Sequence, residues 1–130
     1  MLDHLAIDVS DIARSRRFYA AALAPLGYVV LREEAASVGF GVIAGEGRSL
    51  DPGGDFWIAA GTLRAPLVHF AFNASSREAV DAFFEAALGA GGVDNGRPGL
   101  RPRYHPSYYA AFVIDPDGYN IEAVCHKSSG

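Results

Sequence analysis

Apolar residues alternate with polar or small ones in two short segments of this chain, residues 5–9 (LAIDV) and residues 68–72 (VHFAF). A period of two is typical of a strand that buries one face. Each segment is followed by apolar residues at helical spacing, within residues 12–26 and 80–88. The pattern therefore predicts the same order twice, a strand and then an amphipathic helix.

The two strand–helix units also match residue by residue. Residues 4–27 align with residues 69–92 at an offset of 65 without a gap, and eight of the 24 aligned pairs are identical, among them His4 with His69. The sequence therefore predicts one α+β domain over residues 1–130, made of two βαβββ modules at about 1–64 and 66–127. The further strands fit near 28–33, 36–43 and 55–60, and near 93–96, 108–114 and 119–125.

Local signals mark the ends of these elements. Ser10 or Asp11 can cap the first helix, and Ser75–Glu78 has the spacing of a capping box for the second. Residues 115–118 (DPDG) predict a type I turn between the last two strands. Residues 96–106 hold three prolines and three arginines without a period. They predict a long loop, and loops of that length often serve as lids.

Composition and charge exclude several classes of protein. The formal charge is −4 without any block of like charges, which indicates no nucleic-acid surface. No apolar run reaches the roughly 18 residues that span a bilayer, and the first residues already follow a strand pattern rather than a leader pattern. The single cysteine, Cys125, matches a reducing compartment. We therefore expect a cytoplasmic protein without membrane or nucleic-acid partners.

Three side chains could form a metal site. His4 and His69 each lie on the strand face opposite the apolar residues, and Glu122 lies in the last predicted strand. If the modules pair so that these faces look at each other, the three side chains converge. Two imidazoles and one carboxylate leave positions open on a divalent ion and suit Fe(II), Mn(II), Zn(II) or Ni(II). The alternative is that two equivalent histidines are a remnant of duplication.

The same residues give the chain its likeness to a known family. The two strand histidines, the final Glu122, the segment DIARSRRFYAAALAPLGY and the hairpin YYAAFVIDPDGYNIEAV resemble the vicinal oxygen chelate superfamily, the glyoxalase, bleomycin-resistance and extradiol-dioxygenase group. The resemblance implies two modules whose sheets curve around a central cavity, and a homodimer. It also implies that His4, His69 and Glu122 hold an ion that binds two neighbouring oxygens of a small-molecule substrate.

One position departs from the glyoxalase I enzymes of that group, which add an acidic ligand in the fourth strand. The repeat places Trp57 where that acid should be, with Asp55 one strand step away on the same face. An indole neither binds a metal nor transfers a proton. The sequence therefore predicts that the protein is not a full glyoxalase I.

Two functions of different classes remain open. The first is a metal-dependent enzyme of the lyase, isomerase or dioxygenase type. Glu122 and Tyr109 are its candidate catalytic residues, and Trp57, Tyr109 and His105 its candidate substrate contacts. Tyr109 is a candidate because it lies on the same strand face as Ala111, which the assumed hairpin register pairs with Glu122.

The second function is a metal-free binding protein of the bleomycin-resistance type. It would sequester a planar or aromatic compound against Trp57, Tyr109 and Phe56. Metal content after purification without chelators distinguishes the two.

Overall fold

The computed structural model describes residues 1–128 of the chain. Within them no helix is long and apolar enough to cross a membrane. A single 3₁₀ turn follows the first helix at Ala24–Leu26. The strands are β1 (Leu5–Val9), β2 (Val29–Glu33), β3 (Ser37–Gly41), β4 (Phe56–Ala60), β5 (Phe70–Asn73), β6 (Val93–Leu100), β7 (Tyr109–Ile114) and β8 (Asn120–Cys125), and the helices are α1 (Ile12–Leu23) and α2 (Arg77–Gly89).

The strands form two four-stranded mixed sheets with the same topology. The N-terminal sheet has the order β1-β4-β3-β2, and the C-terminal sheet has the order β5-β8-β7-β6. In each sheet the first strand runs parallel to the last, and the remaining pairs are antiparallel. The predicted α+β fold class is therefore confirmed.

Both sheets bury one face in a shared core. Along β1, Ile7 and Val9 are buried while Ala6 and Asp8 are exposed, as the period of two predicts. The buried faces of the two sheets and the apolar stripes of α1 and α2 belong to one continuous cluster. The largest fully buried side chains of this core are Tyr19, Phe18, Phe40, Phe56, Phe83, Leu23, Ile58 and Ile121. Among residues 1–128, no helix covers the opposite face of each sheet, which is called the open face below.

The helix caps agree with the sequence at α1 and differ by one residue at α2. Asp11 accepts a hydrogen bond from the amide of Arg14 at the start of α1. At α2 the cap is Ser76, which accepts from the amide of Ala79, so the predicted capping box at 75–78 is wrong. The amide of Ala74 still bonds to β8, and this keeps the chain extended beyond that residue.

The loop predicted at 96–106 is partly strand. β6 continues to Leu100, and only residues 101–108 connect it to β7. Pro98 does not prevent this, because β6 is the edge strand and a missing amide hydrogen there breaks no pairing. Gly96, with a φ of 151°, lies where the register of β6 against β7 shifts.

The register of the last hairpin is offset by one residue from the prediction. Phe112, not Ala111, is paired with Glu122. The amide of Asp115 bonds to the carbonyl of Tyr119, and Gly118 has a φ of 102°. The turn therefore contains one residue more than a simple type I turn, as in hairpins that end in a left-handed glycine. That extra residue exchanges the faces of the β7 side chains relative to β8.

Polar contacts join α1 to the turn between β7 and β8. The hydroxyl of Tyr19 donates to Asp115 over 2.5 Å, and both residues are buried. Burial raises the pKa of Tyr19, and the neighbouring Asp115 carboxylate raises it further, so the hydroxyl stays a donor. Asp117 accepts from the amide and hydroxyl of Ser10 and from Arg14. The first module is thus tied to the last turn of the second.

We expect Tyr19→Phe to lower the free energy of unfolding by about 1–3 kcal/mol, because the buried carboxylate of Asp115 loses a donor. Urea denaturation followed by circular dichroism measures this. Tyr109→Phe is the matched control, since its hydroxyl donates to Asp81 at the exposed surface of α2, and its effect should stay within about 0.5 kcal/mol. Equal losses in the two variants would contradict the buried contact.

Candidate functional site

A histidine and a buried glutamate face each other on the open face of the C-terminal sheet. His69 directly precedes β5, and Glu122 lies in the neighbouring parallel strand β8. His69 Nε2 is 3.0 Å from Glu122 Oε1. Glu122 is only 3% exposed, whereas the side chain of His69 is about half exposed. A buried carboxylate needs such a partner, because removing its charge from water is costly.

The hydrogen bond at Nδ1 of His69 determines whether Nε2 carries a hydrogen or a lone pair. His69 Nδ1 is 2.7 Å from the carbonyl oxygen of Asn120, which only accepts, so Nδ1 carries a hydrogen and donates. In a neutral ring, Nε2 then presents a lone pair toward a carboxylate oxygen. Two acceptors at this distance are stable only with a positive charge between them, a proton or a metal ion. A backbone partner on the far nitrogen is also the usual support of a histidine that binds a metal.

Tyr108 occupies the other oxygen of Glu122. Its hydroxyl donates to Glu122 Oε2. Burial raises the pKa of Tyr108 to about 12, with the hydrogen bond to Glu122 as the next cause. Three rings surround it, with centroids 4.8 Å away for Tyr104 and 5.4 Å away for each of His105 and His126. Sequence reasoning missed Tyr108. Its place next to Tyr109, in a hairpin whose register the sequence does not specify, was the one signal that either tyrosine could face Glu122.

Tyr109 lies on the other face of the sheet. Its hydroxyl donates to Asp81 of α2 over 2.7 Å, and the guanidinium of Arg77 lies over its ring. The assumed position of Tyr109 beside Glu122 is therefore wrong. The physical reason is the extra turn residue Gly118, which places Tyr108 on the open face instead.

His105 packs against Tyr108 and makes no hydrogen bond to Glu122. The amide of Ser107 donates to His105 Nδ1 over 3.1 Å, so in the neutral ring the hydrogen lies on Nε2. That nitrogen is 2.9 Å from His126 Nδ1, to which it donates. His105 thus supports the ring of Tyr108 from the loop at 101–108.

His4 does not join His69 and Glu122 within one chain. Its Nδ1 lies 2.8 Å from the carboxylate of Asp3, and both side chains are more than half exposed. Among residues 1–128, no three histidine, cysteine or acidic side chains are grouped closely enough to hold a metal ion. The predicted convergence is therefore absent from the single chain, because β1 and β5 are the edges of separate sheets.

His4 and His69 nevertheless line the same open cleft between the modules, with a volume of about 440 Å³. Aromatic rings from both modules meet at its floor, where Phe56 and Phe70 are 5.5 Å apart between centroids and Tyr28 and Phe72 are 5.3 Å apart. Asp3 and Asp55 also line it, so its rim carries acidic groups. The cleft can accept a small, partly aromatic compound.

The equivalent place in the N-terminal sheet is filled by Trp57. Its indole nitrogen donates to the carbonyl of Gly54 over 3.1 Å. The ring lies against Gly39 and Gly53, where an added Cβ would come within 2.8 Å and 2.6 Å of it. Trp57 therefore packs on its own module rather than forming a free pocket wall. Asp55, two residues before Trp57, accepts from the hydroxyl of Ser49.

The sequence matches one family model along almost its whole length. Residues 1–123 match the glyoxalase/bleomycin resistance protein/dioxygenase superfamily, so the chain belongs to that superfamily. The resemblance deduced from the sequence is confirmed. A search of curated proteins finds no match.

Solved structures share the fold. A glyoxalase/bleomycin resistance protein from Albidiferax ferrireducens is 27% identical, with a TM-score of 0.77 over 96% of this chain and 98% of that one. A glyoxalase/bleomycin resistance protein/dioxygenase family enzyme from Burkholderia phytofirmans is 16% identical, with a TM-score of 0.70 over 97% and 98%. The fosfomycin resistance protein FosX from Listeria monocytogenes is 18% identical, with a TM-score of 0.66 over 98% and 93%.

We expect Gly39→Ala to lower the free energy of unfolding by at least about 1–3 kcal/mol, because the new methyl group overlaps the Trp57 ring and the carbonyl oxygen of Gly53. Gly89→Ala is the control, since a Cβ there has nothing within 4 Å. Urea denaturation compares the two variants. An unchanged stability of Gly39→Ala would show that Trp57 is free to move.

Proposed function

We propose that this protein is a metal-dependent enzyme that acts on a small molecule through a divalent ion held by His69, Glu122 and His4. The observation that carries the proposal is the pair of His69 and Glu122, in which a fixed ring nitrogen faces a buried carboxylate oxygen at 3.0 Å. This donor set fits Fe(II), Mn(II), Zn(II) or Ni(II). The family to which the chain belongs adds support.

The third ligand, His4, would come from a second copy of the chain. Within one chain it is exposed and makes no contact with the pair, and the open-face residues of β1 and β5 are exposed. A homodimer that places the open face of one N-terminal sheet against the C-terminal sheet of its partner supplies what each copy lacks. The division into modules at about 1–64 and 66–127 is part of this proposal.

When bound, the ion would supply Lewis-acid stabilisation of negative charge on a substrate oxygen. Glu122 is the residue we expect to act on the substrate in addition to holding the ion. Tyr108 takes the role first assigned to Tyr109, because its hydroxyl holds the second oxygen of Glu122. The pKa of Tyr108 is raised to about 12, further from neutral pH than the ordinary tyrosine value, so the hydroxyl acts as a donor and not as a base.

We propose a reaction of the lyase, isomerase or dioxygenase type. The proposal does not include full glyoxalase I activity. Trp57 stands where a second carboxylate would be needed, and it is packed in place. Asp55 is held by Ser49. We also keep a cytoplasmic location, which the lone buried Cys125 supports.

The cleft between the modules favours a second candidate, a metal-free binding protein. Its aromatic floor and acidic rim suit a planar compound that carries a positive charge or several hydrogen-bond donors. Phe56 and Tyr28 are the contacts in this alternative, in place of Trp57 and Tyr109.

Metal binding distinguishes the two candidates. We expect the purified protein to bind close to one Zn²⁺ or Co²⁺ per chain, measured by calorimetry and by the visible spectrum of the cobalt form. Glu122→Ala should lose the ion with the fold retained, and Asp81→Ala, on the other side of the sheet, should keep it. Failure of the wild-type chain to bind either ion would leave the binding-protein candidate.

Mixing variants tests whether two copies share the site. His4→Ala and Glu122→Ala should each bind no ion alone. In a refolded mixture, a dimer of one chain of each variant has one complete site, formed by His4 of the Glu122→Ala chain with His69 and Glu122 of the His4→Ala chain, so binding should return. No recovery from the mixture would place His4 and Glu122 of one site in the same chain, and binding of the ion by His4→Ala alone would remove His4 from the site.

Tyr108→Phe keeps the ring and removes only the hydroxyl that holds Glu122. We expect the affinity for Co²⁺ to fall by roughly 10–100-fold, which is typical when a supporting hydrogen bond to a metal ligand is lost. Tyr104→Phe is the matched control, because its hydroxyl accepts from Arg103 and does not touch the glutamate. A shifted visible spectrum in Tyr108→Phe alone would mark a changed glutamate geometry, and equal affinities would remove Tyr108 from the site.

A further inference from the structure

Three planar groups lie in a row across the open face of the C-terminal sheet. Phe112 of β7 is paired with Glu122 of β8. The ring of His69 is stacked with that of Phe112 at a centroid distance of 6.1 Å and an angle of 25°. The guanidinium of Arg101 lies over the same Phe112 ring at 5.4 Å. The row therefore runs from the candidate metal ligand, over one aromatic ring, to a cation.

The guanidinium of Arg101 is held in place by the backbone. Nη1 donates to the carbonyl of Gly99 over 2.9 Å, and Nη2 donates to that of Arg97 over 2.8 Å. Glycines make room for it, because a Cβ at Gly96 or Gly99 would come within 3.3 Å of a guanidinium nitrogen. Two of its five N–H groups are used in this way, and the others remain for a ligand.

The charge of Arg101 has no acidic partner within 4 Å among residues 1–128. Its neighbours in the chain differ, since Arg97 pairs with Asp94 at 3.7 Å and is largely exposed, and Arg103 donates to the hydroxyl of Tyr104. Arg101 is also half-buried. A fixed, half-buried and unpaired guanidinium favours an anion, and its fork matches the two oxygens of a carboxylate.

We propose that the substrate is a flat molecule with a carboxylate at the end remote from its metal-binding oxygens. The carboxylate binds Arg101, the planar body passes beside the ring of Phe112, and the oxygens reach the ion at His69 and Glu122. This inference rests on the proposed metal function for the oxygen end only. The carboxylate end depends on Arg101 alone and is tested without metal.

The first experiment uses metal-free protein and two probes of equal shape, benzoate and benzamide, titrated by NMR. Benzoate should bind and should perturb the amides next to Phe112, while benzamide should bind much more weakly. Arg101→Gln should weaken benzoate by roughly 10–100-fold, the loss expected for a charge-assisted hydrogen bond, and leave benzamide unchanged. Arg97→Gln is the matched control and should behave as wild type.

The second experiment adds Zn²⁺ and compares 3,4-dihydroxybenzoate with catechol. Zinc should strengthen the binding of both compounds, and Arg101→Gln should weaken the binding of 3,4-dihydroxybenzoate but not that of catechol. If zinc has no effect while benzoate still depends on Arg101, the metal function fails and the carboxylate site stands.

Three results would overturn the inference: no benzoate binding, equal binding of benzoate and benzamide, or unchanged benzoate affinity in Arg101→Gln. Circular dichroism checks that the variant is folded. Arg101→Lys serves as a second variant, because it keeps the charge but loses the fork, and it should recover only part of the benzoate affinity.

Discussion

The burial of both sheets against two helices in one apolar core determines where every other group in this protein lies. Each strand next to that core presents alternate side chains to it, so the remaining side chains must lie on the open face. In β1 these are Ala6 and Asp8, and His4 directly precedes them on the same side. His69 directly precedes β5 at the equivalent place. The chemistry of the molecule is thus restricted to two open faces, and the buried contact of Tyr19 with Asp115 links the two modules.

The two sheets have the same strand order, but their open faces carry different side chains at equivalent positions. On the N-terminal sheet, Trp57 lies against Gly39 and Gly53, which have no side chain that would displace it. On the C-terminal sheet, Glu122 stands at the equivalent position, with His69 Nε2 at 3.0 Å from one oxygen and the hydroxyl of Tyr108 donating to the other. The open face of the N-terminal sheet is therefore filled by the Trp57 ring. The open face of the C-terminal sheet carries the Glu122 carboxylate, which requires a positive charge beside it. A single candidate site per chain follows from this asymmetry.

The connection between β6 and β7 completes the polar face. It carries Tyr108, whose hydroxyl holds Glu122, and Arg101, whose guanidinium lies over Phe112. Two backbone hydrogen bonds fold this segment tightly, from the amide of Tyr104 to Arg101 and from the amide of Arg101 to the carbonyl of Tyr108. Because these side chains are fixed by backbone contacts, the site is shaped before any ligand binds, which reduces the entropy lost on binding.

The sequence by itself determined the elements, the repeat and the residue types of the site, because alternation and helical spacing depend on neighbours along one segment. It also determined that His69 and Glu122 are candidates for one site, and that Trp57 replaces an acid. Only the tertiary structure decided which side chains meet. One extra turn residue at Gly118 reversed the faces of Tyr108 and Tyr109, since a strand pattern specifies faces but not the register between strands. The separation of His4 from the pair likewise depends on how two whole sheets pack around their core, which no local pattern encodes.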